Sequence, residues 1–211
     1  MKNNKDLIPS IINEVHWENG LTYLEYRELI DTLLNINQTT GGNHSEDMIA
    51  YTKLNVQRMN KWEKIIKIDD DLNEVARKIT SSQKWLLLTE AWCGDAAQNL
   101  PIIQKVADLN DKIEVKYLLR DENLDIMDAY LTNGGRSIPK LIILDEAFNE
   151  LSNWGPRPLP AQELLEEAKL KSIPHDEYIT TIHAWYGKDR GKTLQNELSD
   201  LLSTFSEVDI D

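Results

Sequence analysis

The sequence predicts an α/β fold over its middle, with helical additions at both ends. Three observations predict it. An apolar run, Trp85 to Thr89, is bounded by polar residues, the mark of a strand covered on both faces. Ile113, Val115, Tyr117 and Leu119 alternate at the two-residue period of a second strand. Leu141 to Leu144 makes a third, and the segments between these strands carry the helical period.

The N-terminal part, residues 1 to 68, reads as helical. Leu29, Ile30, Leu33 and Leu34 share one helix face, and the stretch Thr39 to Asn43 ends it. Ser45 can cap a second helix, with Glu46 and Asp47 suited to the positive end of its dipole. Met59, Trp62 and Ile66 then recur as a stripe expected to pack against the following domain. From Asp69 the alternation begins. Asp71 and Glu74 form an acidic version of a capping box ahead of Leu72, Val75, Ala76 and Ile79. A further helix starts near Gly94, and another runs from Leu124 to Leu131, ending near Asn133-Gly134-Gly135. Asp145 to Asn149 turns the third strand into a hairpin partner ending near Trp154-Gly155. Pro160 suits the first turn of the helix holding Leu164, Leu165 and Ala168. Two more helices, 175 to 186 and 190 to 205, make a C-terminal extension over residues 171 to 211 that packs on the domain at 69 to 170.

Composition excludes several functions. A formal charge of -13 opposes nucleic acid, whose binding free energy comes largely from cations displacing counterions at phosphates. No stretch reaches the ~20 consecutive apolar residues of a membrane span, and Met1 to Pro9 lacks the apolar run of an export signal. A cytoplasmic protein without a membrane partner is therefore expected. The four histidines are scattered without metal-ligand spacing, and one cysteine, Cys93, is the whole thiol inventory. It excludes an internal disulfide and an all-cysteine metal site within one chain.

Cys93 lies where the first strand gives way to a helix. Unpaired backbone N–H groups and the helix dipole favour an anion there, so the position predicts a lowered thiol pKa and a nucleophile. The competing reading is a small buried apolar group, since free cysteine is among the most buried residue types.

The segment Trp92-Cys93-Gly94-Asp95-Ala96 resembles the thioredoxin family, whose active site is Trp-Cys-Gly-Pro-Cys after a buried strand. Ile138-Pro139, directly before the hairpin strand, stands where the family keeps a cis-proline opposite the nucleophilic cysteine. Gly155 falls where it keeps a glycine beside the site. With the order of strands and helices over 69 to 170, the resemblance implies a thioredoxin-like fold, a central mixed sheet flanked by helices. It implies a cis Ile138–Pro139 bond that leaves the Ile138 backbone facing an extended substrate beside Cys93. Sequence alone favours the commoner trans proline of an edge strand.

Two departures from the family limit what the resemblance implies. Ala96 replaces the second cysteine, so a mixed disulfide has no internal thiol to resolve it. Leu87 replaces the buried acid that serves the second thiol. Asp95, in place of the family proline, suits the helix start but would oppose a thiolate at Cys93. Arg136 reads either as a carboxylate-binding cation or as a solvated loop residue. Glu90 reads as a strand-end surface acid ahead of a general base, Trp92 as the rim of a groove, and Trp154 as core or cover. The expectation is monothiol exchange with protein or peptide thiols and disulfides, or with a low-molecular-weight thiol, requiring no cofactor and no metal. At that site Cys93 is the catalytic residue, with the substrate side formed by Trp92, Gly94, Asp95, Arg136, Ile138, Pro139 and Gly155. The alternative is a non-catalytic module that binds a peptide or protein through the groove beside Pro139 or through the added helices.

Overall fold

The computed structural model describes residues 8–206. Its strands are β1 (Ile8–Pro9), β2 (Gln83–Thr89), β3 (Ile113–Leu119), β4 (Lys140–Leu144) and β5 (Asn149–Trp154). They form one mixed sheet in the order β1-β5-β4-β2-β3. β2 runs parallel to β3 and antiparallel to β4, and β4 is antiparallel to β5. A parallel pair needs a crossover, and the helix α5 (Gly94–Ala107) supplies it between β2 and β3. Trp85 to Leu88 and Leu141 to Leu144 are fully buried, which is why the two central strands read as continuous apolar runs.

The remaining helices are α1 (Glu14–Glu18), α2 (Tyr23–Asn35), α3 (Glu46–Ile65), α4 (Asp70–Arg77), α6 (Leu124–Ala129), α7 (Leu159–Leu170), α8 (His175–Asp189) and α9 (Lys192–Ser206). A capping box between Thr22 and Glu25 starts α2. Ser45 stands at the N-cap of α3 but makes no side-chain cap bond. The expected Asp71–Glu74 box does not form, because α4 begins at Asp70 with Asp69 in the cap position.

Met59, Trp62 and Ile66 are buried in the same core as the sheet, and α3 packs along α5. The N-terminal helices and the sheet thus share one interior. At the other end, Leu194, Leu198 and Leu202 of α9 are buried in that core, with α9 packed on α4. Leu165, Ile182 and Tyr186 join α7 to α8 in a smaller cluster. The N-terminal region is not wholly helical as read from sequence. Residues 8 and 9 pair with β5, and two residues are too few to show a period. Among the described residues no helix is long and apolar enough to cross a membrane.

Candidate active site

The turn from β2 into α5 is held from both sides by the N-terminal region. Thr40 Oγ1 accepts the Ala91 N–H at 2.8 Å, and Asn55 Nδ2 donates to the Ala91 carbonyl at 2.9 Å. Two residues on, Cys93 is the N-cap of α5, with its backbone extended. Its Sγ accepts the Ala96 N–H at 3.4 Å and donates to the Ile138 carbonyl at 3.3 Å. The Ile138–Pro139 and Gly155–Pro156 peptide bonds are cis. Gly155 has φ +116, and a Cβ there would fall 2.3 Å from the Pro139 carbonyl oxygen, so only glycine allows β5 to close against that loop.

The electrostatics at the sulfur overturn the expectation of a lowered pKa. Cys93 is 8% exposed. Burial first, and the Asp95 carboxylate second, push its thiol up from 9.0 to about 12, while the Ala96 N–H and Arg157 act in the opposite direction. The helix start does favour a thiolate, but loss of water outweighs it. Asp95 is itself held firmly. Arg157 Nε donates to its Oδ2 at 3.1 Å, and the Tyr186 hydroxyl donates to Oδ1 at 2.8 Å. Asn99 Nδ2 donates both to the Asp95 carbonyl at 2.8 Å and to the Tyr186 hydroxyl at 3.0 Å.

Above the sulfur lies a cleft of about 700 Å³. Of the residues expected at the site, Trp92, Cys93, Gly94, Asp95, Arg136 and Ile138 line it together. Pro139 and Gly155, which approach each other closely, do not line it. Arg136 is paired with Asp128, Nε to Oδ1 at 2.6 Å. Trp92 lies under the Arg120 guanidinium, 4.8 Å from the ring centre. Glu90, read from sequence as a surface acid, is fully buried. Its Oε1 accepts the Asp121 N–H at 2.9 Å, and burial raises its pKa. Asp121 and the 40–41 loop cover it, which a local reading of β2 does not reveal. Leu87 is also fully buried, paired across to Leu141, and carries no titratable proton.

Several site residues come from elements remote in sequence. Met48, Tyr51, Leu54 and Arg58 of α3 form one wall, and His175, Ile179, Ile182 and His183 of α8 another. A Cβ on Gly94 would lie 2.6 Å from His183 Cε1 and 3.3 Å from Arg58 Nη1. The Trp62 indole donates to Gln98 Oε1 at 2.6 Å, which turns the Gln98 amide nitrogen toward His183 Nδ1 at 3.5 Å. The His183 hydrogen then belongs on Nε2, an assignment made from the network. Burial and the neighbouring Arg58 lower the His183 pKa to about 4, so the ring is neutral near neutral pH. Among the described residues, no group of three or more His, Cys, Asp or Glu side chains is placed to hold a metal ion.

A strand, a helix capped by a cysteine, and a prolyl loop across from that cysteine define a thioredoxin-type site. The family model for thioredoxin matches residues 41–169, more than half of the chain, and the chain belongs to that family. No curated protein matches it. A crystal structure of a protein of unknown function from Pseudomonas aeruginosa is similar, with 20% identity over 87% of this chain and 98% of that one, at a TM-score of 0.52. An HIV epitope-scaffold structure aligns at 19% identity over 84% and 94% of the two chains, with a TM-score of 0.46. At 20% identity the likeness to the first speaks to fold alone.

Proposed function

We propose that this thioredoxin-family chain is a single-thiol protein that seats a thiol- or disulfide-bearing peptide in its cleft and exchanges disulfides at Cys93. The carrying observation is the place of Cys93: the residue lines the cleft, and its sulfur is held between the Ala96 N–H and the Ile138 carbonyl. In the exchange, Cys93 gives its proton to solvent and the thiolate attacks one sulfur of the partner disulfide. A Cys93–S bond forms, the partner S–S bond breaks, and the departing thiolate takes up a proton. Ala96 offers no second sulfur, so an external low-molecular-weight thiol must attack the mixed disulfide, releasing Cys93 as a thiol.

A second reading, binding without exchange, is favoured by one specific observation: Cys93 is buried, which pushes its thiol pKa up and leaves little thiolate for attack. Intact-mass measurement after incubation with a neutral disulfide separates the two. A Cys93 adduct reversed by added thiol supports exchange. No adduct over hours at mildly alkaline pH sinks it, and peptide binding unaltered by Cys93→Ser then leaves the binding reading.

A further inference from the structure

We infer that the cleft selects an acidic peptide segment, with Arg58 as the anchor for one of its carboxylates. This rests on the cleft being the partner-binding surface, as proposed above, and adds the chemistry of what it takes. The chain as a whole is acidic, at -13. Yet the cleft is lined by Arg58, Arg120, Arg136 and Arg157 with only Asp95 among its lining carboxylates, and with Asp121 and Asp128 paired to two of the arginines from outside it, one positive charge is left over. That local reversal of sign comes from the fold, since α3, the β3 end, the prolyl loop and the β5 exit each contribute an arginine.

Three of the four guanidinium groups are already matched, Arg157 with Asp95, Arg120 with Asp121 and Arg136 with Asp128. Arg58 is the exception. It is half-buried, has no ion pair among the described residues, and burial lowers its pKa. Asp95 acts on it only through space, because both of that carboxylate's oxygens are engaged by Arg157 and Tyr186. A partly dehydrated cation without an anionic contact is costly in the free protein, and an incoming carboxylate relieves that cost.

Its geometry is prepared for such a contact. Asn55 donates to Ala91 through Nδ2, so its Oδ1 is the atom that accepts from Arg58 Nη1, at 2.8 Å. This bond fixes the guanidinium while leaving most of its five N–H donors for a two-point carboxylate contact. The His183 Nε2–H, beside Gly94 next to Arg58, supplies a neutral donor to the same anion. Tyr51 and Leu54, 43% and 42% exposed on the same helix, offer apolar contact to neighbouring side chains. A chain of alternating acidic and apolar residues fits this wall, and the Ile138 backbone beside Cys93 suits an extended strand.

Calorimetric titration with two blocked peptides tests the inference. Both have a leucine-rich frame around a central serine, so no covalent step intervenes; one carries glutamates and the other glutamines at the same positions. The wild-type chain is expected to bind the glutamate peptide at least about tenfold tighter, and Arg58→Gln to remove about tenfold of that preference. Equal affinity for the two peptides, no binding of either, or a preference untouched by Arg58→Gln would overturn it. The wild-type comparison decides even if the variant folds poorly. Reaction of Cys93 with a neutral disulfide, measured without peptide, judges the exchange reading separately.

Discussion

The raised pKa of the Cys93 thiol sets the rate at which its sulfur exchanges. A shift from 9.0 to about 12 leaves about a thousandfold less thiolate than an unperturbed cysteine carries at any pH below about 9. The more basic thiolate is intrinsically the better nucleophile. With a Brønsted coefficient of about 0.45 over a difference of about three in pKa, this returns about twentyfold. The native chain should therefore react with a neutral disulfide such as dipyridyl disulfide about fiftyfold more slowly than the same chain unfolded in denaturant. Burial of the sulfur can only slow it further. The assay follows the released thione by absorbance across about pH 7 to 10, where the logarithm of the native rate should rise with unit slope and no plateau. Asp95→Asn, which removes the nearest carboxylate and frees Arg157, should raise the native rate. A plateau below about pH 9, or a native thiol faster than the unfolded one, would refute the electrostatic reasoning.

Three further outcomes follow from the same contacts. Ala96→Cys should form an intramolecular disulfide with Cys93 under mild oxidation, since the 96 backbone N–H already meets the sulfur at 3.4 Å; mass spectrometry finding both thiols still free to alkylate would count against it. Gly155→Ala should cost at least about 2 kcal/mol, because its Cβ meets the Pro139 oxygen in a left-handed backbone, and an unchanged melting temperature would contradict the close approach. His183 titrates at about 4 when folded and near 6.5 when unfolded. The unfolded chain thus takes up the extra proton between those values, and stability present above about pH 6.5 is lost as pH falls toward 4. The loss should be about 1–2 kcal/mol after allowance for partial exposure, and a denaturation series in which His183→Gln keeps the full acid slope would rule it out.

The parts of this molecule legible in its sequence are those whose cause is local. Trp85 to Leu88 and Leu141 to Leu144 announce central strands because burial on both faces demands unbroken apolar runs, and Asp145 to Asn149 announces the turn between β4 and β5. Trp92 to Asp95 and Ile138 could be gathered in advance because strand ends and helix starts fix their places. Arg58, Arg157, His183 and Tyr186 could not, because nothing near them in the chain distinguishes them from surface residues, and only the docking of α3, α8 and the 155–158 segment brings them to the sulfur. The acidity of Cys93 is illegible in the sequence for the same reason. The helix terminus is a local effect that sequence displays, whereas dehydration depends on walls contributed from far away. Glu90 shows the reverse face of this, an apparent surface acid closed over by loops from both directions.

The hydroxyl of Tyr186 reaches from α8 to the carboxylate two residues beyond the sulfur. Seating of α8 and the proton affinity of the thiol are thus coupled through Asp95. Because α8 walls the cleft that Cys93 lines, loosening that helix should open the cleft, and the labelling rate at position 93 should then report how often it lifts.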